Sequence, residues 1–276
     1  MNQSIDPAVG KIPPEPEVNL HGRVAVVTGA GSRAPGIGNG RASAILLARR
    51  GAKVALLDDT VEWAQETLRM IEAEGGTAAV FRCDVAQDEQ CRATVNEIVA
   101  RWGRIDILVN NVGISGPTGD AVDLDLAAWD AAMRVNVTAM VLMARHCIPH
   151  MRRLGHGAIV NVASVAGLIG GHPSLLYPTS KGAVVNLTRA MAAQHGREGI
   201  RVNCVAPGLA YIPAVEAKGI SAEKREARKK RSLLHTEGTG WDTGHAITFL
   251  CTDAARWITG VILPVDAGVT AGQLSP

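Results

Sequence analysis

Short, unbroken apolar runs alternate along this chain with longer stretches in which apolar residues recur every three to four positions. RVAVVTG (23–29), KVALLDD (53–59), TAAVFRC (77–83), DILVN (106–110), AIVNVA (158–163), RVNCVAPG (201–208) and VILPVD (261–266) are the short runs. Runs this short and this continuously apolar read as strands buried on both faces. Between them ASAILLARR ahead of Gly51, then 61–74, 89–102, 126–154, the segment carrying Tyr177, and 242–252 have helical spacing. Strands alternating with helices through short links predict an α/β fold, with one doubly wound parallel sheet, right-handed crossovers and helices on both faces. Two residues strain against that pattern. Asn136 lies in mid-helix, where asparagine is unfavourable, so it implies a hydrogen-bonding duty or a local bend. Pro178 requires its helix to start no more than about a turn earlier.

The first strand runs into the glycine-rich AGSRAPGIGNG (30–40) and then a helix. That order places free backbone N–H groups and a positive dipole end where a pyrophosphate can rest. Asp58, at the end of the second strand and about twenty residues beyond the loop, is placed to accept hydrogen bonds from both adenosine ribose hydroxyls and to repel a 2′-phosphate. This favours NAD(H). Arg33, inside the loop, is the opposing signal, because it suits the 2′-phosphate of NADP(H). Asp59 is read as a helix cap. Asp84, past the third strand, either meets an adenine amino group or caps the next helix. NNVG (110–113) either braces the sheet edge beneath a nucleotide or makes an Asx turn.

Ser164 closes the fifth strand, and thirteen residues later Tyr177 begins YPTSK, so Tyr177 and Lys181 stand four apart. On a helix both project from one face, about one turn apart. An ammonium beside a phenol favours the phenolate, which makes Tyr177 a proton donor or acceptor near neutral pH. Ser164 lies at the carboxyl end of its strand, where active sites of open α/β sheets gather.

Composition adds limits. The chain has 276 residues, 28 basic and 26 acidic side chains, a formal charge of +2, 47% hydrophobic residues and 30 glycines. The balance gives no hint of a nucleic-acid or membrane partner, and no run of eighteen apolar residues occurs. Five scattered cysteines without a CxxC pair read as buried, reduced thiols in a cytoplasmic protein. His146 and His150, four apart, lack a third ligand and suggest structure or subunit contact, so no metal is expected. Residues 1–20, with four prolines, read as an N-terminal arm. Residues 21–276 read as one NAD(P)-binding domain with a substrate lid at about 209–240. KREARKKR (224–231) puts six basic residues in eight, either a solvated helix face or a means of recruiting an acidic substrate.

Together, TGAGSRAPGIG (28–38), Asp58, CDV (83–85), NNVG, Asn136, Ser164, YPTSK and APG (206–208) resemble the short-chain dehydrogenase/reductase family from about Leu20 to Ala271. The resemblance implies a Rossmann domain with a seven-stranded sheet, in a homotetramer or homodimer. It implies Tyr177 as general acid/base and Lys181 as the group that lowers its pKa and holds the nicotinamide ribose. Ser164 would orient the substrate oxygen, and Asn136 would hold a relay water. The cofactor is expected against Gly29, Ser32, Arg33, Gly36, Ile37, Gly38, Asp58, Asp84, Val85, Asn110, Val112, Gly113, Tyr177, Lys181, Pro207, Gly208 and Ile212. The glycine loop is three residues longer than the family's TGxxxGxG, Ile212 replaces a threonine, and NNVG replaces NNAG. His172, Leu176 and Tyr211 are expected to line the substrate pocket, with Leu175 and Ile114 making its walls apolar. The expected function is interconversion of a small secondary alcohol and its ketone by hydride transfer with NAD(H). The alternatives are an NADPH-dependent 3-oxoacyl thioester reductase and a non-catalytic nucleotide sensor.

Overall fold

Each apolar run becomes a strand, and each periodic stretch a helix. The structure is a computed structural model that describes residues 18–217 and 219–272. In chain order the elements are β1 (Val24–Thr28), α1 (Asn39–Arg49), β2 (Lys53–Asp58), α2 (Val61–Ala73), β3 (Thr77–Arg82), α3 (Asp88–Trp102), β4 (Ile107–Asn110), α4 (Leu126–Met133), α5 (Ala139–Leu154), β5 (Gly157–Val162), α6 (Leu176–His195), β6 (Ile200–Pro207), α7 (Pro213–Glu216), α8 (Ala222–Lys230), α9 (Gly240–Cys251) and β7 (Ile262–Val265). The arm expected over 1–20 falls outside the described residues except for Val18, Asn19 and Leu20. Leu20 is fully buried and donates its N–H to Arg50 O, so it belongs to the domain.

All seven strands are parallel, in the order β3-β2-β1-β4-β5-β6-β7. The direction of winding reverses between β1 and β4, which opens a crevice above their carboxyl ends. The strand side chains alternate between the two faces. Ala25 and Val27 pack in one core with Ala44 and Leu47 of α1, Ile71 of α2 and Ile247 of α9. Val24 and Val26 pack in the other with Val95 of α3, Met143 of α5 and Met191 of α6. That period of two, buried on both sides, is why the strands read as continuous apolar runs. Glycine lets α1 and α9 approach closely, since a Cβ on Gly244 would lie 2.9 Å from the Cβ of Ala42.

Within the stretch 126–154 an 18-residue window reaches mean hydropathy 1.2, as apolar as a membrane span. In the fold the stretch carries Met140, Met143, Cys147, Ile148 and Met151 buried against the sheet layer. It is not one regular helix. Residues Arg134–Thr138 form a single π turn between α4 and α5, with Asn136 at its centre. All five cysteines are free and buried. His146 reaches across to α3, its Nε2 2.8 Å from Asp88 Oδ1.

Candidate active site

The glycine loop is shaped by a buried arginine. Helix α1 starts at Asn39, inside the segment read as loop, and brings Arg41 into its first turn. Arg41 is 3% exposed. It donates from Nη1 to Gly36 O (2.6 Å), from Nε to Thr67 Oγ1 (3.0 Å) and from Nη2 to Trp63 O (3.2 Å), tying the loop to α2. Gly29 (φ +62°) and Gly36 (φ +115°) take backbone conformations that side chains rarely adopt. A Cβ on Gly40 would lie 2.0 Å from Gly29 O. Thr28 and Asn111 fasten the loop to β4: Thr28 Oγ1 accepts from Asn111 N, and Asn111 Nδ2 donates to Thr28 O and Gly29 O. The NNVG segment therefore braces the sheet edge. Its Asn110 donates to Asn161 Oδ1 (2.9 Å) on the neighbouring strand, and Val112 N–H donates to Thr28 Oγ1.

A dinucleotide fits this edge. The N-cap of α1, Gly38, has no side chain to satisfy the helix N–H groups, and a Cβ placed on it would meet nothing within 4 Å. The adjoining Asn39 carries a buried Oδ1 without a partner. Asp58 ends β2 with its carboxylate against the loop, accepting from Gly31 N (2.9 Å) and Thr60 N (3.2 Å). Burial pushes its carboxyl above the usual range, while those two bonds pull it down. Arg33 is exposed, with its guanidinium 5.8 Å from the centre of the Trp63 ring. Ser32 turns its hydroxyl onto Ala34 O.

Two expected helix caps near the cofactor are corrected. Asp84 does not cap α3, whose N-cap is Gln87; it accepts from Ala86 N and Gln87 Nε2 in the turn before the helix. The side chain of Val85 is packed in the core, 5% exposed. Asp59 does not cap α2; it accepts from the hydroxyl of Thr60, which is the N-cap residue.

Ser164, Tyr177 and Lys181 come together at the carboxyl ends of β5 and β6. Helix α6 begins at Leu176, so Pro178 falls in the first turn, where no helical hydrogen bond is lost. Ser164 Oγ accepts from Ala166 N (3.2 Å), and its hydroxyl is near enough to the Tyr177 phenol to favour the phenolate. Lys181 is 3% exposed, donates to Val162 O (3.0 Å) and lies over the Tyr177 ring, 5.8 Å from its centre. A Cβ on Gly113 would stand 3.0 Å from that ammonium. Burial brings the pKa of Lys181 down to about 8. The expectation of a lowered phenol pKa is not met: burial pushes Tyr177 up, and the neighbouring Ser164 hydroxyl only partly offsets it.

Asn136 is fully buried and braces both sides of the site. Its Oδ1 accepts from Ile114 N (2.8 Å), and its Nδ2 donates to Ile114 O (2.9 Å) and Ser180 Oγ (3.0 Å). His172 lies with its ring centre 5.2 Å from that of Tyr177, its Nδ1 accepting from Ser174 N. Leu176 is not a pocket wall. It is fully buried, facing Gly116, whereas its neighbour Leu175 is 40% exposed. Tyr211 is engaged elsewhere: its ring lies 3.9 Å from the Arg225 guanidinium, and its N–H donates to Gly238 O. Gly208 packs on Asp266, and Pro213, next to Ile212, faces Gly36.

A family model described as enoyl-(acyl carrier protein) reductase matches residues 33–270. The chain is 40% identical over 249 residues to the cis-4-hydroxycyclohexanecarboxylate dehydrogenase of Sinomonas cyclohexanicum, covering 90% of this chain and 97% of that protein. A solved short-chain dehydrogenase/reductase from Burkholderia xenovorans superposes with a TM-score of 0.87 at 38% identity, covering 92% of this chain and 98% of that one. The chain belongs to the short-chain dehydrogenase/reductase family. Two other solved structures similar to it hold a cofactor. One is a 7α-hydroxysteroid dehydrogenase with NADH and 7-oxo glycochenodeoxycholic acid (TM-score 0.84, 32% identity, 91% of this chain and 96% of that one). The other is a gluconate 5-dehydrogenase from Burkholderia cenocepacia with NADP and tartrate (TM-score 0.84, 35% identity, 93% and 98%).

As a short-chain dehydrogenase/reductase the protein is an alcohol dehydrogenase or ketone reductase acting on CH–OH groups with a nicotinamide cofactor. Residues that the sequence reading passed over hold this short-chain dehydrogenase/reductase site in place: Arg41, Thr28, Asn111, Ser180 and the pair Asn161–Thr188 (3.1 Å). Their signal was weak, since each is a common polar residue in a helix, a strand end or a loop. Only Arg41, next to the glycine loop and on the apolar side of α1, stood out of pattern.

Proposed function

We propose that this protein is an NAD(H)-dependent dehydrogenase of secondary alcohols, working in reverse as a ketone reductase, with Tyr177 as general acid/base. The observation that carries the reading is the buried ammonium of Lys181 held over the ring of Tyr177, 5.8 Å from its centre, on one face of α6. When bound, the cofactor accepts hydride from the carbinol carbon or returns it, and in its oxidised form brings a positive ring. Tyr177 Oη takes the hydroxyl proton in oxidation and gives it back in reduction. Ser164 Oγ holds the substrate oxygen, and the charge on Lys181 favours the phenolate that burial alone disfavours. Lys181 also supplies donors for the nicotinamide ribose. Asn136 keeps the Ile114 segment and the first turn of α6 in register, and its place in the family pattern is that of the relay water. His172, Leu175 and Ile114 leave an apolar mouth suited to a ring-sized alcohol, in keeping with a relative whose named substrate carries its hydroxyl on a cyclohexane ring.

The preference for NAD(H) rests on Asp58, whose carboxylate at the end of β2 suits two ribose hydroxyls and repels a 2′-phosphate. The test is calorimetric titration with NADH and NADPH at one ionic strength, for the wild type and Asp58→Ala. Tighter NADH binding, weakened about tenfold in the variant by the loss of charge-assisted bonds, supports the reading. Tighter NADPH binding overturns it and gives Arg33 the phosphate.

A further inference from the structure

The basic run on the lid is not uniform. Helix α8 is capped by Ser221, whose Oγ accepts from Lys224 N, and its charges divide by their surroundings. Lys224, Lys230 and Arg231 are exposed, and Lys229 stands 3.6 Å from Glu226. Arg225 is engaged twice, stacked on the Tyr211 ring and bonded through Nε and Nη2 to the carboxylate of Glu237 (2.8 and 2.9 Å from Nε). Arg228 is different. It is half-buried and donates from Nη2 to Ala210 O (3.2 Å), while its Nε is closed to water and has no partner. The carboxylate nearest in kind, Glu237, is already taken by Arg225.

An unpartnered N–H on a desolvated guanidinium is costly until an acceptor arrives. The Nε and Nη2 edge of arginine matches a carboxylate in two parallel bonds. The anchor of Arg228 follows the carboxyl end of β6. Strands β5 and β6 are parallel, with Val162 opposite Val205, so Ser164 after β5 and Pro207 at the end of β6 leave the sheet at the same end, and Ala210 follows three residues after Pro207. The lid strap is held closed there by Tyr211 N–H on Gly238 O.

We infer that Arg228 is a specificity-determining residue that binds a carboxylate on the substrate, remote from the carbon that reacts. The substrate class is a secondary alcohol, or its ketone, with an apolar ring-sized body and an anionic carboxylate at the lid end. This rests on the dehydrogenase reading above and names the substrate chemistry of the same site.

The test reads binding apart from turnover. The protein saturated with NADH is titrated calorimetrically with cyclohexanecarboxylate and with cyclohexanecarboxamide, for the wild type, Arg228→Gln, Arg228→Lys and the exposed control Lys230→Gln. The expected result is a wild-type preference for the carboxylate of tenfold or more, which collapses in Arg228→Gln, returns in part in Arg228→Lys and is untouched in Lys230→Gln. A preference unchanged in Arg228→Gln, no preference in the wild type, or no binding of either compound overturns the inference. NAD-coupled oxidation of 4-hydroxycyclohexanecarboxylate and its carboxamide is measured alongside. Turnover of both without discrimination sinks the role of Arg228 and leaves the dehydrogenase reading standing. Arg228-dependent carboxylate binding with no alcohol oxidised sinks the dehydrogenase reading instead.

Discussion

The ammonium of Lys181 lies over the ring of Tyr177, 5.8 Å from its centre, and is held there by the carbonyl of Val162. Burial has brought that ammonium down to about 8 from an ordinary 10.5. Between those values the unfolded chain holds a proton that the folded chain has released. The group's contribution to stability therefore rises with pH across that window, and below it the buried charge is a standing cost. Cofactor binding has the opposite sign, because the charged ammonium donates more strongly to ribose hydroxyls than the neutral amine does. Thermal melts with and without NADH should show the stabilisation by NADH shrinking above about pH 8. In Lys181→Met that pH dependence should be absent.

Tyr177 gives the second prediction. Burial raises its phenol, so oxidation, which needs the phenolate, should speed up as pH rises toward that pKa. Reduction, which needs the phenol, should slow over the same range. Tyr177→Phe should remove both trends and lower kcat by about 10²–10⁴-fold, while NADH affinity by calorimetry stays within a few-fold. A variant that keeps its turnover would take the proton-transfer role away from Tyr177.

Arg41 should matter for both stability and cofactor affinity. Its replacement by Ala takes the donor from the buried Thr67 hydroxyl and unties Gly36 O and Trp63 O. Leaving buried groups unmet costs about 1–3 kcal/mol each, and for a chain of this size each kcal/mol lowers Tm by roughly 2–4 °C. Arg41→Ala is expected to melt several degrees lower and to bind NADH more weakly, the loop having lost its tie to α2. An unchanged melt would show that the loop is fixed by Thr28 and Asn111 alone.

The lid should open when its latch is cut. Arg225 joins α8 to both ends of the strap, Tyr211 and Glu237. Arg225→Ala is expected to speed tryptic cleavage within 211–237 and to raise substrate KM more than it lowers kcat. The core fold, read by far-UV circular dichroism, should be unaffected.

Much of this was legible in the chain. The seven runs match the seven strands of the described residues: the five inner ones are buried on both faces and have few polar positions to interrupt them, and the edge strands β3 and β7 are short apolar runs that stay partly exposed. The spacing of Tyr177 and Lys181 put them on one helix face, and the misfit of Asn136 foretold both its bonds and the bend. The start of α1 was hidden because Gly38, Asn39 and Gly40 look like loop, whereas here glycine serves close approach to Gly29 O. Leu175 and Leu176 were both expected at the pocket and only Leu176 turns inward, because which of two adjacent leucines is buried depends on the phase of the helix start. The state of the Tyr177 phenol was out of reach, since it follows from burial by residues distant in sequence. The KREARKKR run showed a charged helix but not which charges turn inward, because the exposed side chains of α8 mask the partly buried Arg225 and Arg228 among them.

The π turn at Arg134–Thr138 has one more consequence. Each helical residue advances the azimuth by about 100°, so the extra residue in the wide turn sets α4 and α5 out of phase by about that angle. One rod thus addresses two directions: α4 faces the Gly116 loop through Ala132, and α5 faces the sheet through Met143. Deleting a single residue between 134 and 138 would bring the halves back into phase and turn one of them away from its partner. Such a chain could keep its helix content and still lose its substrate loop, so the site depends on an odd residue as much as on any side chain.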